Sequence, residues 1–203
     1  MIVHYDPNIE LAQALNLYFE QNQFGAHGGY NDVWVDFKLG PIPFPFRNTK
    51  SRVRAVRYHD LHHILTGYDT DFVGELEIAG WELGAGCKDF AAAWGLNLGA
   101  VAGGLVRAPV RTFRAFVRGR HACTVYGDNY EALLSLTVAE ARRRTGTDRG
   151  PHRATLADAL LFSAYGAIGL VVGLALFAVG LLLVPFGLIA SMTRPPKAKL
   201  NAS

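Results

Sequence analysis

The imidazoles of His59 and His63 and the carboxylates of Asp60 and Glu75 are concentrated in one short stretch: His59-Asp60-Leu61-His62-His63, then eleven intervening residues, then Glu75. On a helix, residues four apart stack on one face, so His59 and His63 present their rings side by side. Asp60, three before His63, flanks the same place. Glu75 falls about one turn into the following helix, and the connection is short enough for an antiparallel pair that brings Glu75 back to His63. Two neutral imidazoles with one or two carboxylates suit Zn, Fe(II) or Mn, and Mg less well. The spacing does not choose among them, and acidic neighbours of helical histidines also occur without any ion. His62 points about a hundred degrees away from His63 and is expected to pack or to face solvent. Glu77 points away from Glu75 and is expected to be exposed, and Glu82 lies in the same region.

Rival readings of these residues find less support. His59-x-x-His62-His63 has the form of one histidine box of a membrane di-iron oxygenase, but such enzymes need about three boxes and several spans. The other four histidines (4, 27, 121, 152) are scattered. A His-Asp phosphohydrolase would need a separate upstream His and downstream Asp, and nothing local supports His27 and Asp128 in those roles. No nucleophile elbow, P-loop or dinucleotide-binding pattern is present.

The elements that must hold the constellation read as helices. Asp6-Pro7 opens a first one, which carries Leu11, Leu15 and Phe19 and ends near Gln23. Pro41, Pro43 and Pro45 forbid a helix over residues 33–46 and argue against a central strand, leaving an extended, lid-like segment. A helix over about 49–65 stops at Gly67. Asp71 caps the next, which reaches Gly84-Ala85-Gly86. Residues 88–106 are nearly free of charge, and Asn97 with several glycines favours a buried central helix over a membrane span. Arg107, Arg111 and Arg114 share a helix face, either solvated or turned toward lipid phosphates or an acidic substrate group. Thr137 and Glu140 form a capping box.

Residues 159 to 193 contain no charged side chain. Leu160 to Val184 would cover ~37 Å as a helix, one tilted span. Pro185-Phe186-Gly187 permits a kink, with a re-entrant hairpin as the alternative. Gly166, Gly169 and Gly173 offer a small-residue seam for a homodimer. Arg142, Arg143, Arg144, Arg149 and Arg153 precede the span, and Arg194, Lys197 and Lys199 follow it. That bias places the body on the cytoplasmic face, in a bacterium that of the inner membrane. The expected fold is all-α: a compact helical domain with a C-terminal transmembrane helix or hairpin. The expected divisions are an N-terminal helix and Pro-rich segment (1–48), a helical metal-site domain (49–150) and a membrane anchor (158–193).

A formal net charge of +3 does not suggest a dedicated nucleic-acid binder. With an apolar tail it fits attraction to anionic lipid. Cys87 and Cys123 are too few for a disulfide framework, and a reducing compartment is the simpler reading. The N-terminus is not of the secretory-signal type.

His59-Asp60-x-x-His63, eleven residues and Glu75 resemble the signature of the ubiquinone (coenzyme Q) biosynthesis protein four family. Arg57-Tyr58 before it, Leu65-Thr66-Gly67-Tyr68-Asp69-Thr70 and Gly74 after it, Arg118-Gly119-Arg120-x-Ala122, and Glu140-Ala141-Arg142-Arg143-Arg144-Thr145-Gly146 agree with that likeness. It covers roughly residues 50–147. It implies that His59, Asp60, His63 and Glu75 bind a divalent metal, zinc first, and act in catalysis through it. It also implies an all-helical protein at a membrane that acts on a polyprenylated 4-hydroxybenzoate-type precursor. The implied activity is decarboxylation at ring carbon one, in some accounts with hydroxylation there, in association with other enzymes of ubiquinone biosynthesis. A non-catalytic prenyl-lipid-binding scaffold for those enzymes is the alternative. The uncharged tail is not part of the family pattern.

Overall fold

The computed structural model describes residues 5–39 and 42–192. Pro41 and the cations Arg194, Lys197 and Lys199 lie outside the described residues. Among the described residues the chain forms eight helices and one two-stranded hairpin. In order they are α1 (Leu11–Gln21), β1 (Trp34–Leu39), β2 (Ile42–Arg47), α2 (Lys50–Thr66), α3 (Phe72–Ala85), α4 (Ala91–Arg107), α5 (Pro109–Arg120), α6 (Tyr130–Leu134), α7 (Val138–Thr145) and α8 (Leu156–Met192).

The first helix begins later than Asp6-Pro7 suggests. Asp6 accepts from the backbone N–H of Asn8 (2.9 Å) and so caps a turn. Glu10 is held extended in a bridge to Thr137 by the chain ahead of α7: Leu11 N–H donates to Leu136 O (2.8 Å) and Val138 N–H to Ile9 O (2.9 Å). A helix cannot start until that pairing ends. The Pro-rich segment pairs as an antiparallel hairpin, with Pro43 opposite Lys38 and Pro45 opposite Asp36. Residues two apart send their N–H the same way, so both missing donors fall on one edge of β2.

Helix α2 is the centre of the body. Thr49 caps it by accepting from Arg52 N–H (3.3 Å), and Gly67 closes it in the left-handed conformation. Its second half is buried on all sides, Asp60 to Thr66 included. That half is therefore packed by Leu61, Ile64 and Leu65 and must find internal partners for Asp60, His62 and His63. Asp71 caps α3 through Gly74 N–H (2.6 Å). Helices α3 and α5 cross at contact distance: a Cβ on Gly119 would lie 2.1 Å from Trp81 O, and one on Gly84 2.2 Å from Phe116 O.

Three expectations change here. Helix α4 is buried on one face only, through Ala93, Asn97 and Val101, while Leu96 and Val106 are exposed. Arg107 is the last residue of α4 and does not share a helix with Arg111 and Arg114, because the chain breaks at Ala108-Pro109. The glycines of α8 pack inside the chain: a Cβ on Gly169 would lie 2.4 Å from Leu98 O, and Gly173 meets Gly99 and Ala102 on α4. This seam is filled by α4 and is not free for a second copy. Helix α8 is continuous through Pro185, which removes the hairpin alternative. Its stretch Leu156–Phe186 is long and apolar enough to cross a membrane, and little of it is buried.

Candidate metal centre

Three side chains, those of His59, His63 and Glu75, converge where α2 meets α3. His59 Nε2 and His63 Nε2 are 3.1 Å apart. Glu75 Oε2 lies 3.4 Å from His59 Nε2, and Glu75 Oε1 lies 3.4 Å from His63 Nε2. Ligand bonds of ~2.0–2.1 Å around a tetrahedral ion put neighbouring donor atoms ~3.3 Å apart. The His59–His63 edge is close to that size, the two 3.4 Å edges end on different carboxylate oxygens, and one ligand atom from each residue lies within 4.8 Å of the others. These residues can hold a divalent cation, and the donor set fits zinc.

The orientation of each ring follows from its other nitrogen. His63 Nδ1–H donates to Tyr68 O (3.0 Å), a carbonyl that can only accept. His59 Nδ1–H donates to Glu82 Oε1 (2.9 Å). In their neutral form both rings carry their hydrogen on Nδ1 and turn a lone pair on Nε2 toward Glu75, the arrangement by which partners behind a ligand fix its tautomer, whereas a charged ring donates from Nε2 to Glu75 instead. Two lone pairs and a carboxylate facing one another repel unless a cation lies among them. His59 shows that demand. Burial disfavours its charged form, but Glu82 and Glu75 outweigh burial and raise its pKa well above the ordinary value. Glu75 is displaced the other way. Burial would raise it, yet hydrogen bonds from His59 and His63 bring it down to about 2. The Glu75 side chain is 44% exposed against 1% for His63, so the centre is closed on the α2 side and open toward solvent past Glu75.

Glu82 is the residue on which this geometry rests. It is fully buried and accepts from four donors: His59 Nδ1, His62 Nδ1 (2.7 Å), Asn97 Nδ2 (2.5 Å) and Tyr126 Oη (2.7 Å). Burial works against its charge, but the charge of His59 and these hydrogen bonds hold its pKa well below the usual carboxylate range. Its position was visible in the spacing, since residues seven apart share a helix face and Glu82 is seven beyond Glu75. Its partners Asn97 and Tyr126 carried no such signal. His62 packs, as one of its two expected places: it is wholly buried, donates to Glu82 and accepts from Val125 N–H (3.0 Å). Glu77 is half-buried and bound in a two-pronged pair by Arg111 (3.0 and 2.6 Å).

Asp60 lies outside the converging set. Its carboxylate is buried and accepts from Tyr18 Oη (3.3 Å) and Tyr30 Oη (2.5 Å). Burial raises its pKa, more than the nearby imidazoles and the two hydroxyls lower it. A small cavity of about 110 Å³ beside His63 is walled by Tyr5, Tyr18, Tyr68 and Thr70.

No protein-family model matches this chain, and no curated protein or solved structure matches it either. The class of protein defined by fold and site is a helical protein with a potential membrane-crossing helix and a possible His/Glu metal centre.

Proposed function

We propose that the protein is anchored in a membrane by α8, binds zinc (with Fe(II) or Mn as alternatives) at His59, His63 and Glu75, and acts in ubiquinone biosynthesis. The proposed reaction is decarboxylation at ring carbon one of a polyprenylated 4-hydroxybenzoate-type intermediate, with or without hydroxylation at that carbon. The observation that carries the reading is the open three-ligand centre, since a catalytic site keeps a coordination position free whereas a structural site closes it. The likeness of His59-Asp60-x-x-His63 and Glu75 to the family signature supplies the substrate class. A bound divalent cation would supply Lewis-acid stabilisation of negative charge on substrate oxygens. The chain's own contribution is to hold two imidazoles in one tautomer and to keep Glu75 ionised at the solvent-facing side. The Arg142–Arg153 cluster ahead of α8 supports a body on the cytoplasmic face of a bacterial inner membrane. Membrane lipid and other enzymes of the pathway are the partners this reading implies.

One observation favours the second reading, a prenyl-lipid-binding scaffold that keeps the metal for structure. The cavity beside His63, about 110 Å³, is smaller than the ~300 Å³ at which small-molecule sites begin. A decarboxylation assay on purified full-length protein, with metal analysis, separates the two. The enzyme reading expects carbon dioxide release that disappears with the metal in His63→Ala and Glu75→Ala while the fold is kept. Metal-loaded protein with no turnover, whose variants lose association with pathway enzymes instead, would overturn it in favour of the scaffold.

A further inference from the structure

A second cavity is larger than the one beside His63. It has a volume of about 750 Å³ and lies between the C-terminal turn of α2, helix α5, helix α7 and the segment that leads into α8. Tyr68 forms a wall of both cavities. Five guanidinium groups line the larger one, those of Arg111, Arg114, Arg118, Arg142 and Arg149, against two carboxylates, Glu77 and Asp148. One of the two carboxylates is already committed, since Glu77 is held by Arg111.

Two of these arginines are half-buried and have no carboxylate partner among the described residues. Arg118 donates to Thr66 O and Thr147 O (both 2.9 Å). Arg142 donates to Leu65 O (3.1 Å) and Ile64 O (2.9 Å). These bonds cap the last carbonyls of α2, where the helix dipole is negative, and so offset part of the cost. They do not neutralise two adjacent cations. Burial, and then the charge of Arg118, lower the pKa of Arg142. Arg142 has its Nη1 left over, while Arg118 also reaches the Tyr68 hydroxyl. At the mouth, the side chains of Arg114 and Arg149 are exposed and make no hydrogen bond or ion pair among the described residues. The remaining wall is mostly apolar, with Leu65, Phe113, Val117 and Pro151 beside Thr66, Tyr68 and Thr147. His152 and Ala154 border the cavity, and α8 begins at Leu156, so it adjoins the start of the membrane-crossing helix.

We propose that this cavity binds an amphiphile through a phosphate headgroup, with the guanidinium cluster on the phosphate and the apolar wall on the first carbons of its chain. Phosphate is the matching anion because it offers several acceptor oxygens to planar donors arriving from different sides. The site is separate from the metal centre, and neither depends on the other being occupied.

The test uses full-length protein in a non-ionic detergent and calorimetric titration with three probes: dihexanoyl phosphatidic acid, dihexanoyl phosphatidylcholine and inorganic phosphate. Phosphatidic acid is expected to bind more tightly than either of the others. The exposed pair Arg114→Ala/Arg149→Ala is expected to weaken it by about tenfold or more, with partial recovery in Arg114→Lys/Arg149→Lys. Zinc uptake is expected to be unchanged in both variants, which keeps this result apart from any failure of the metal reading. Unchanged affinity in the alanine pair, or equal binding of the choline lipid, overturns the site. Inorganic phosphate binding as tightly as phosphatidic acid overturns the amphiphile and leaves a soluble phosphate as the ligand.

Discussion

Replacing Glu82 by Gln keeps the shape of the side chain and removes its charge. Four donors converge on the two carboxylate oxygens, two imidazoles on Oε1 and Asn97 with Tyr126 on Oε2. A glutamine offers one oxygen and one NH2. If the oxygen faces the imidazoles, the NH2 meets Asn97 and the Tyr126 hydroxyl, both of which can turn to accept. The four bonds then survive but lose their charge assistance, about 1 kcal/mol each. Relief from burying a carboxylate offsets part of that loss. The net destabilisation is expected to be about 2–4 kcal/mol, a fall of roughly 5–15 °C in Tm for a chain of this size. Metal affinity should fall as well, by about 10- to 100-fold, because an amide oxygen holds the His59 Nδ1 hydrogen less firmly than a carboxylate and leaves Nε2 a weaker ligand. The assay is zinc titration of full-length protein in detergent, alongside thermal unfolding of the ion-free form. Glu75→Gln is the control: it removes a ligand, so zinc binding is lost while Glu82 and its four donors stay in place. A Glu82→Gln protein that takes zinc with wild-type affinity would refute the claim that Glu82 orients His59.

Zinc affinity is expected to fall about tenfold per pH unit once the pH drops below the raised pKa of His59, because the ion must displace a proton there; titrations at several pH values check this. For the ion-free protein the sign is opposite. A raised imidazole pKa contributes stability that is complete below ~6.5 and lost as the pH rises through the raised value, whereas Glu75 contributes above ~4.5 and loses it as the pH falls toward about 2. Asp60→Asn should keep one zinc per chain, since Asp60 is engaged by Tyr18 and Tyr30, and metal analysis that finds the zinc gone would return Asp60 to the ligand set. Gly169→Ala should push α8 from α4, because its Cβ would lie 2.4 Å from Leu98 O; a loss of about 1–3 kcal/mol in ion-free stability, without a change of oligomeric state, is expected, and chromatography showing a dimer that becomes a monomer would contradict the packing.

What the sequence disclosed was local. His59 and His63 are one helical turn apart, Thr49, Gly67 and Asp71 mark helix ends by their own chemistry, and the loop between α2 and α3 is too short to leave Glu75 elsewhere. Those features need no knowledge of the rest of the chain. What stayed hidden depended on neighbours distant in sequence. Asp60 has the spacing of a ligand, yet two tyrosines from the N-terminal 30 residues take its carboxylate. The glycines of α8 have the pattern of a dimer seam, yet α4 fills it, and the matching small residues Gly99 and Ala102 on α4 became meaningful only as a pair with α8. The start of α1 was displaced by backbone pairing with residues 136 to 138, which no capping rule anticipates.

The last turn of α2 joins the two candidate sites by opposite charge. On one side His63 turns its lone pair toward Glu75 and demands a cation. On the other, the carbonyls of Ile64, Leu65 and Thr66 are taken by Arg118 and Arg142, whose charges face a cavity that demands an anion. The carbonyl of Tyr68 fixes the His63 ring, while the ring of Tyr68 lies 5.4 Å from the Arg118 guanidinium carbon. A shift of this turn toward either ligand therefore moves groups that serve the other. The buried surroundings of Asp60 to Thr66 resist such a shift, because Asp60, His62 and the carbonyls of Ile64, Leu65 and Thr66 are already matched to partners. Rigidity of this one turn, set by Asp60 with its tyrosines and by Glu82 with its four donors, is what lets a cation site and an anion site stand a few residues apart without collapsing onto each other.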